Sequence, residues 1–160
     1  MPKEKSAGAI IFRMENNVPH YLLLHYAPAE LGKRGQWGFA KGHVEQGETE
    51  EETTKREVAE ETGIKDIKII PGFKELEKYF FRRSYGLKGE ARKKAPWVFK
   101  LVTFFIAETK NKEIKISPEH IGFSWLPFDE AVKKITFKNS KKLLKEAHEY
   151  LLKIGVRASK

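Results

Sequence analysis

Residues 42–64 read GHVEQGETEEETTKREVAEETGI, and eight of these residues are carboxylates. Glu57, Glu60 and Glu61 stand at i, i+3 and i+4, so a helix gathers them within about 100° of arc. Like charges at that spacing repel by about 0.2–0.5 kcal/mol per pair even in solvent. A solvated acidic face tolerates the cost, whereas a face that holds hard divalent cations needs this arrangement. Mg²⁺ takes oxygen ligands, commonly one or two carboxylates together with substrate phosphates. Carboxylate content alone leaves both readings open.

The flanks of this stretch predict a helix over about residues 50–62, preceded by a shaped loop. Thr49 and Glu52 form a capping box, and Glu50, Glu51 and Glu52 lie near the positive end of the helix dipole. Gly63 falls just past the last helical residue, where a left-handed conformation ends many helices. Gly42 and Gly47 bracket four residues and permit a backbone path that approaches a ligand closely. Arg56 can grip a carboxylate in two-pronged fashion, and Glu48 is its nearest partner in sequence.

Composition sets the bounds. At 160 residues the chain reads as one domain spanning 1–160, large enough for a proper core. It has no apolar run of the length a transmembrane helix needs, and MPKEKSAGAIIF lacks the cleavage region of a secretory signal. The absence of cysteine excludes disulfides and thiolate metal sites and fits a cytoplasmic protein. No obligate protein partner is evident. Charge is uneven: eight acids against Lys55 and Arg56 leave residues 42–64 at about −6, so the rest of a chain of formal charge +9 carries about +15. A basic run, Arg82-Arg83-Ser84-Tyr85-Gly86-Leu87-Lys88-Gly89-Glu90-Ala91-Arg92-Lys93-Lys94, reads as a loop over phosphates, an RNA contact or a solvated surface.

Hydrophobic periodicity predicts strands at 7–13, 20–26, around 37–40, 67–70, 73–81, 97–107, 114–116 and 122–126, with a turn at Glu15-Asn16-Asn17. Helices are predicted over 128–134 and 138–154, the second with Leu143, Leu144, Ala147, Leu151 and Leu152 on one face. Many strands with few helices, without strict alternation, point to an α+β layered domain.

The spacing Gly42, five residues, Glu48, seven residues, then Arg56-Glu57-Val58-Ala59-Glu60-Glu61-Thr62-Gly63-Ile64 matches the Nudix hydrolase signature at every specified position. The resemblance implies a mixed sheet sandwiched between helices and a Mg²⁺-dependent pyrophosphohydrolase, with Mn²⁺ as a substitute. Over nearly its whole length the chain further resembles the asymmetrical diadenosine tetraphosphate hydrolases. The matching pieces are AGAIIFR at 7–13, YLLLH at 21–25, Trp37, KGHVEQGE at 41–48, PGFKEL at 71–76, Tyr79, Lys100, Ser117-Pro118-Glu119-His120, Phe123-Ser124-Trp125-Leu126 and Phe137-Lys138. Two departures lie near the substrate: Ala40 stands where a proline commonly precedes the KGH element, and residues 82–96 form a longer basic loop.

By that resemblance Glu57 and Glu61 are metal ligands, with Glu60 a third, the Lys41 backbone carbonyl another and Glu119 a contribution from outside the signature. The general base is a carboxylate beside the attacking water, Glu57 by first choice and Glu60 by second. Glu48 and Arg56 form a structural pair supported by Gly42 and Gly63. Lys41 and His43 flank the phosphate path, and Lys100 and Arg83 are candidate phosphate cations. Tyr79 is either a stacking platform for adenine or a buried strand aromatic. The other histidines show no metal-ligand spacing, and His20 and His148 read as surface or packing residues. The implied substrate is a dinucleoside polyphosphate; the alternatives are a 5′-triphosphorylated or capped RNA end, another nucleoside diphosphate-linked compound, or a non-catalytic nucleotide- or RNA-binding module.

Overall fold

The computed structural model describes residues 3–28, 34–82 and 86–156, the side chains of Tyr79 and Phe81 excepted. Its strands are β1 (Lys3–Glu15), β2 (Val18–Tyr26), β3 (Gln36–Gly38), β4 (Ala40–His43), β5 (Lys68–Ile69), β6 (Glu75–Arg82), β7 (Trp97–Glu108) and β8 (His120–Pro127). The helices are α1 (Glu50–Thr62), α2 (Gly89–Lys93), α3 (Phe128–Lys134) and α4 (Lys138–Lys153). Asn16 and Asn17, both at positive φ, turn β1 into β2 in the geometry that a two-residue hairpin demands.

All eight strands join one mixed sheet, β3-β2-β1-β7-β5 along its main path, with β4 on β1, β6 on β7 and β8 on β2. β1 and β7 run parallel over ten paired residues; the other pairs are antiparallel. Alternation along β1 sends Ile10 and Phe12 to one face and Ala9 and Ile11 to the other, so both faces carry a core. The first packs Tyr21, Phe104, Ile106 and Val102 under α3 and α4 through Ala131, Leu143, Leu144, Ala147 and Leu151. The second packs Ala9, Ile11, Leu22, Leu24 and Ala107 under α1 through Val58, closed by Ile64. The α+β sandwich of a mixed sheet between helices is therefore present.

Several expectations need correction. Residues 114–116 do not form a strand. Their backbone serves α1 instead: Lys115 N–H donates to Thr62 O at 2.9 Å and Ser117 N–H to Glu61 O at 3.3 Å, supplying donors that helix-terminal carbonyls otherwise lack. The expected strand around 37–40 is two, broken at Phe39, with β3 on β2 and β4 on β1. β1 begins earlier than its apolar stretch because Lys3, Glu4 and Lys5 pair with Phe99, Lys100 and Leu101. The basic loop contains the short helix α2, while Arg83, Ser84 and Tyr85 lie outside the described residues. Among the described residues no helix is long and apolar enough to cross a membrane.

Candidate active site

Helix α1 starts and stops as its sequence dictates. The Thr49 side chain accepts from Glu52 N–H at 3.1 Å, and Glu52 in return accepts from Thr49 N–H at 2.9 Å. Gly63, at φ 77°, closes the helix in the left-handed region with its N–H on Ala59 O. This fixes α1 so that Glu57, Glu60 and Glu61 project toward β4 and the segment around Glu119.

Arg56 is the hub of the loop. Its guanidinium takes both oxygens of Glu48, at 2.7 and 3.0 Å, and reaches Glu57 Oε1 at 2.8 Å and the His43 carbonyl at 2.9 Å. One cation thus ties the loop to the helix and holds the first of the grouped carboxylates. The same contact, with help from Glu45 N–H and Thr53, draws the Glu48 carboxyl down to about 2. Glu57 lies directly over the Gly42 backbone: a Cβ on Gly42 would come within 2.0 Å of the Glu57 carboxyl carbon. A side chain at position 42 would therefore have to displace the Glu57 carboxylate from where it sits.

Glu61 is buried deepest, at 2% exposure. Its Oε2 accepts the Lys41 N–H at 2.9 Å, and its Oε1 lies 3.1 Å from His120 Nε2 and 3.4 Å from the Tyr26 hydroxyl. Burial pushes both Glu61 and Glu57 upward, and the proximity of like charge adds to it, from Glu119 on Glu61 and from Glu61 and Glu60 on Glu57. Glu60 is more exposed and only loosely reached by Arg56, at 3.3 Å. Glu119 is anchored through its own backbone, its carbonyl accepting Ala27 N–H at 3.1 Å.

His120 is the residue that sequence reasoning missed. Its side chain is fully buried, its Nδ1 is 2.8 Å from Ser117 Oγ, and its ring packs on Tyr26 at 4.5 Å. Nε2 approaches Glu61 Oε1 closely but not in hydrogen-bond alignment, and no other group among the described residues satisfies it. A lone pair facing a carboxylate oxygen at that distance is repulsive, so we place the proton on Nε2 and let Ser117 donate to Nδ1. Glu61, Glu119 and His120 bring one ligand atom each within 4.8 Å of one another. The sequence signal was its place in the matching piece Ser117-Pro118-Glu119-His120, which gave His120 no role of its own. His148, by contrast, is a packing residue: Nδ1 lies 2.6 Å from the buried Tyr21 hydroxyl and its ring stacks on Phe128.

Ser6, Tyr26, Lys41, Gly42, His43, Glu45, Arg56, Glu57, Glu60, Lys100 and Glu119 share the lining of one cleft of about 510 Å³. The expected metal carboxylates Glu57, Glu60 and Glu119, and the expected phosphate contacts Lys41, His43 and Lys100, are thereby brought to one place. Burial holds Lys41 and Lys100 below the ordinary lysine range, and the nearby Lys100 charge adds to the effect on Lys41. Arg83 and the side chain of Tyr79 lie outside the described residues, although the Tyr79 backbone pairs with Lys100 across β6 and β7. Tyr26 and Lys41 also line a second cleft of about 180 Å³ with Trp37, Phe39, Phe104 and Phe137, and Phe137 is half exposed there. An oxygen-rich end and an aromatic end therefore meet at Lys41.

The donor set fits a hard divalent cation. Glu57, Glu60 and Glu119 line one cleft and Glu61 and His120 lie close to Glu119, while burial and neighbouring like charge raise Glu57 and Glu61 in a way that a cation would relieve.

The NUDIX domain profile matches residues 2–147. The mouse bis(5′-nucleosyl)-tetraphosphatase (asymmetrical) is 37% identical over 157 residues, covering 92% of this chain and 95% of the relative. The rat protein of the same description is 38% identical over 155 residues, with the same coverage. Among solved structures, a binary complex of Caenorhabditis elegans Ap4A hydrolase superposes with a TM-score of 0.75 at 25% identity, covering 94% of this chain and 98% of that one.

Proposed function

This chain belongs to the Nudix hydrolase family, and on that premise we propose that it splits diadenosine tetraphosphate asymmetrically into ATP and AMP with Mg²⁺. The observation that carries the reading is the junction at Lys41 of a carboxylate cleft with an aromatic one. A dinucleoside polyphosphate has the matching parts: a polyanionic chain and a base at its end. The names of the mouse and rat relatives support the same substrate.

In this proposal Glu57, Glu61 and Glu119 hold the metal, with Glu60 and the Lys41 carbonyl as further ligands. A Mg²⁺ held by these residues would supply charge neutralisation on the phosphate oxygens and a more acidic attacking water. The chain's own groups do the rest. Lys41, Lys100 and His43 line the phosphate path. The aromatic cleft around Phe137 takes the base, which gains about 1–3 kcal/mol from stacking. Glu57 is placed as general base ahead of Glu60, because its carboxylate is fixed over the Gly42 backbone and held by Arg56 at 2.8 Å, whereas Glu60 is only loosely held. Water oxygen bonds to phosphorus, its proton passes to the carboxylate, and the bond to the departing ATP or AMP oxygen breaks.

The test is turnover of diadenosine tetraphosphate with Mg²⁺, with excess EDTA, and in Glu57→Gln and Glu61→Gln, alongside 5′-triphosphorylated RNA. The proposal expects Mg²⁺-dependent turnover of the dinucleotide, near abolition in both variants, and a lower kcat/KM on RNA. A higher kcat/KM on RNA ends, or full activity in EDTA, overturns it.

A further inference from the structure

The sheet carries a second surface that the cleft does not use. Register places the side chains of Lys3, Phe99 and Phe80 in one cross-strand row, those of Lys5, Leu101 and Lys78 in the next, and Trp97 and Arg82 in a third. All lie on the face that holds α1, because Leu76 and Thr103 continue the same rows and Thr103 donates to Glu50 of that helix. α1 does not extend over these rows. Phe80 is 58% exposed and Trp97 48%, and Lys3, Lys5, Lys78 and Arg82 are exposed. Phe80 packs against Phe99 at 5.1 Å, and the Arg82 guanidinium sits 4.7 Å over the Trp97 ring.

Lysines on an edge strand have an ordinary use, discouraging strand addition. Such a use does not explain aromatic side chains left half bare between them, and an exposed apolar strip of this kind marks an interaction surface. The partner's chemistry follows from the rows. They contain four cations and three aromatic rings but no acid; the acids of these strands that flank the rows, Glu4, Glu75 and Glu77, point to the opposite face. At the rim, Glu50 is already engaged by Lys74 at 3.0 Å. Aromatic faces alternating with cations on an open sheet suit bases that stack and phosphates that are neutralised. A protein partner would meet the same cations with acids, yet would leave the planar aromatic–cation alternation without a role.

We propose that this face of β1, β7 and β6 binds single-stranded nucleic acid, with bases on Phe80 and Trp97 and phosphates on Lys3, Lys5, Lys78 and Arg82. The site lies beside the metal cleft: Lys5, in the second row, accepts Val44 N–H of the signature loop at its carbonyl. The inference does not depend on which polyphosphate the cleft hydrolyses.

The test is fluorescence anisotropy of a labelled twelve-nucleotide oligouridylate without 5′ phosphate, in EDTA, from 50 to 200 mM salt. The proposal expects binding to the single strand in preference to a duplex of equal length. Affinity should fall with log salt at about 0.7 per phosphate neutralised. Phe80→Ala should weaken binding about tenfold, and Lys78→Glu should weaken it and flatten the salt slope, both leaving hydrolysis of the dinucleotide at its wild-type rate. No binding at 50 mM salt, or equal affinity in wild type and both variants, overturns the proposal. So does self-association, measured by sedimentation, that Phe80→Glu abolishes while oligonucleotide affinity is absent, which would make the face a protein interface.

Discussion

Replacing Gly42 with alanine separates the geometry of the site from the stability of the fold. The residue is not among the glycines at positive φ, so alanine suits its backbone and no conformational strain arises there. The nearest conflict is with Glu57, whose carboxyl carbon would lie 2.0 Å from the new Cβ and both of whose oxygens would lie within 2.3 Å. To restore ordinary contact near 3.4 Å the carboxylate must retreat by about 1.4 Å. Metal–ligand distances tolerate only about 0.2 Å, and a displacement of about 1 Å in a catalytic group costs on the order of a hundredfold in rate. Gly42→Ala is therefore expected to lower kcat on diadenosine tetraphosphate about a hundredfold and to weaken Mn²⁺ binding, measured by titration calorimetry. Because the clashing group is the mobile end of a side chain, the melting temperature should move by no more than roughly 2–4 °C. Wild-type kcat together with wild-type Mn²⁺ affinity would refute the reasoning. A drop of tens of degrees in melting temperature would place the glycine in folding instead.

Other perturbations address other parts of the account. His120→Phe should weaken Mn²⁺ binding and lower kcat more than it raises KM, while His120→Gln, which keeps an N–H donor toward Glu61, should recover most of both; equal losses in the two variants would deny His120 a positioning role. Thr49→Ala removes half of the capping box and should cost about 1 kcal/mol in a denaturant titration, with little change in KM. His148 is held by burial below the ordinary imidazole value, so the unfolded chain binds its proton more readily. The stability it contributes is complete above about pH 6.5 and declines as pH falls below that. His148→Asn, which keeps an acceptor for Tyr21, should flatten the denaturation midpoint between pH 7.5 and 5.5 relative to wild type; parallel curves would contradict this.

The signature helix was legible because its caps are local. Thr49, Glu52 and Gly63 interact within a few residues of themselves, so sequence order and spatial order coincide. The hairpin at Asn16 and Asn17 and the amphipathic helix α4 were legible for the same reason. The strand expected at 114–116 failed because its apolar alternation competes with a tertiary demand, the unfilled carbonyls at the end of α1. The split of β3 from β4 also escaped, since both fit a single apolar run and only the two different partner strands divide it. His120 was illegible because its contacts, Glu61 and Tyr26, are 59 and 94 positions distant in the chain. Phe137, just before α4, carried no role in the sequence beyond the matching pair Phe137-Lys138, and only its exposure into a shared cleft gives it one.

The most direct test of the central claim is quantitative product analysis by anion-exchange chromatography after incubation of the purified protein with diadenosine tetraphosphate and Mg²⁺. The account predicts ATP and AMP in equal amounts from the first turnovers onward. ADP as the sole product would contradict asymmetric cleavage, and an intact dinucleotide would contradict the assigned substrate.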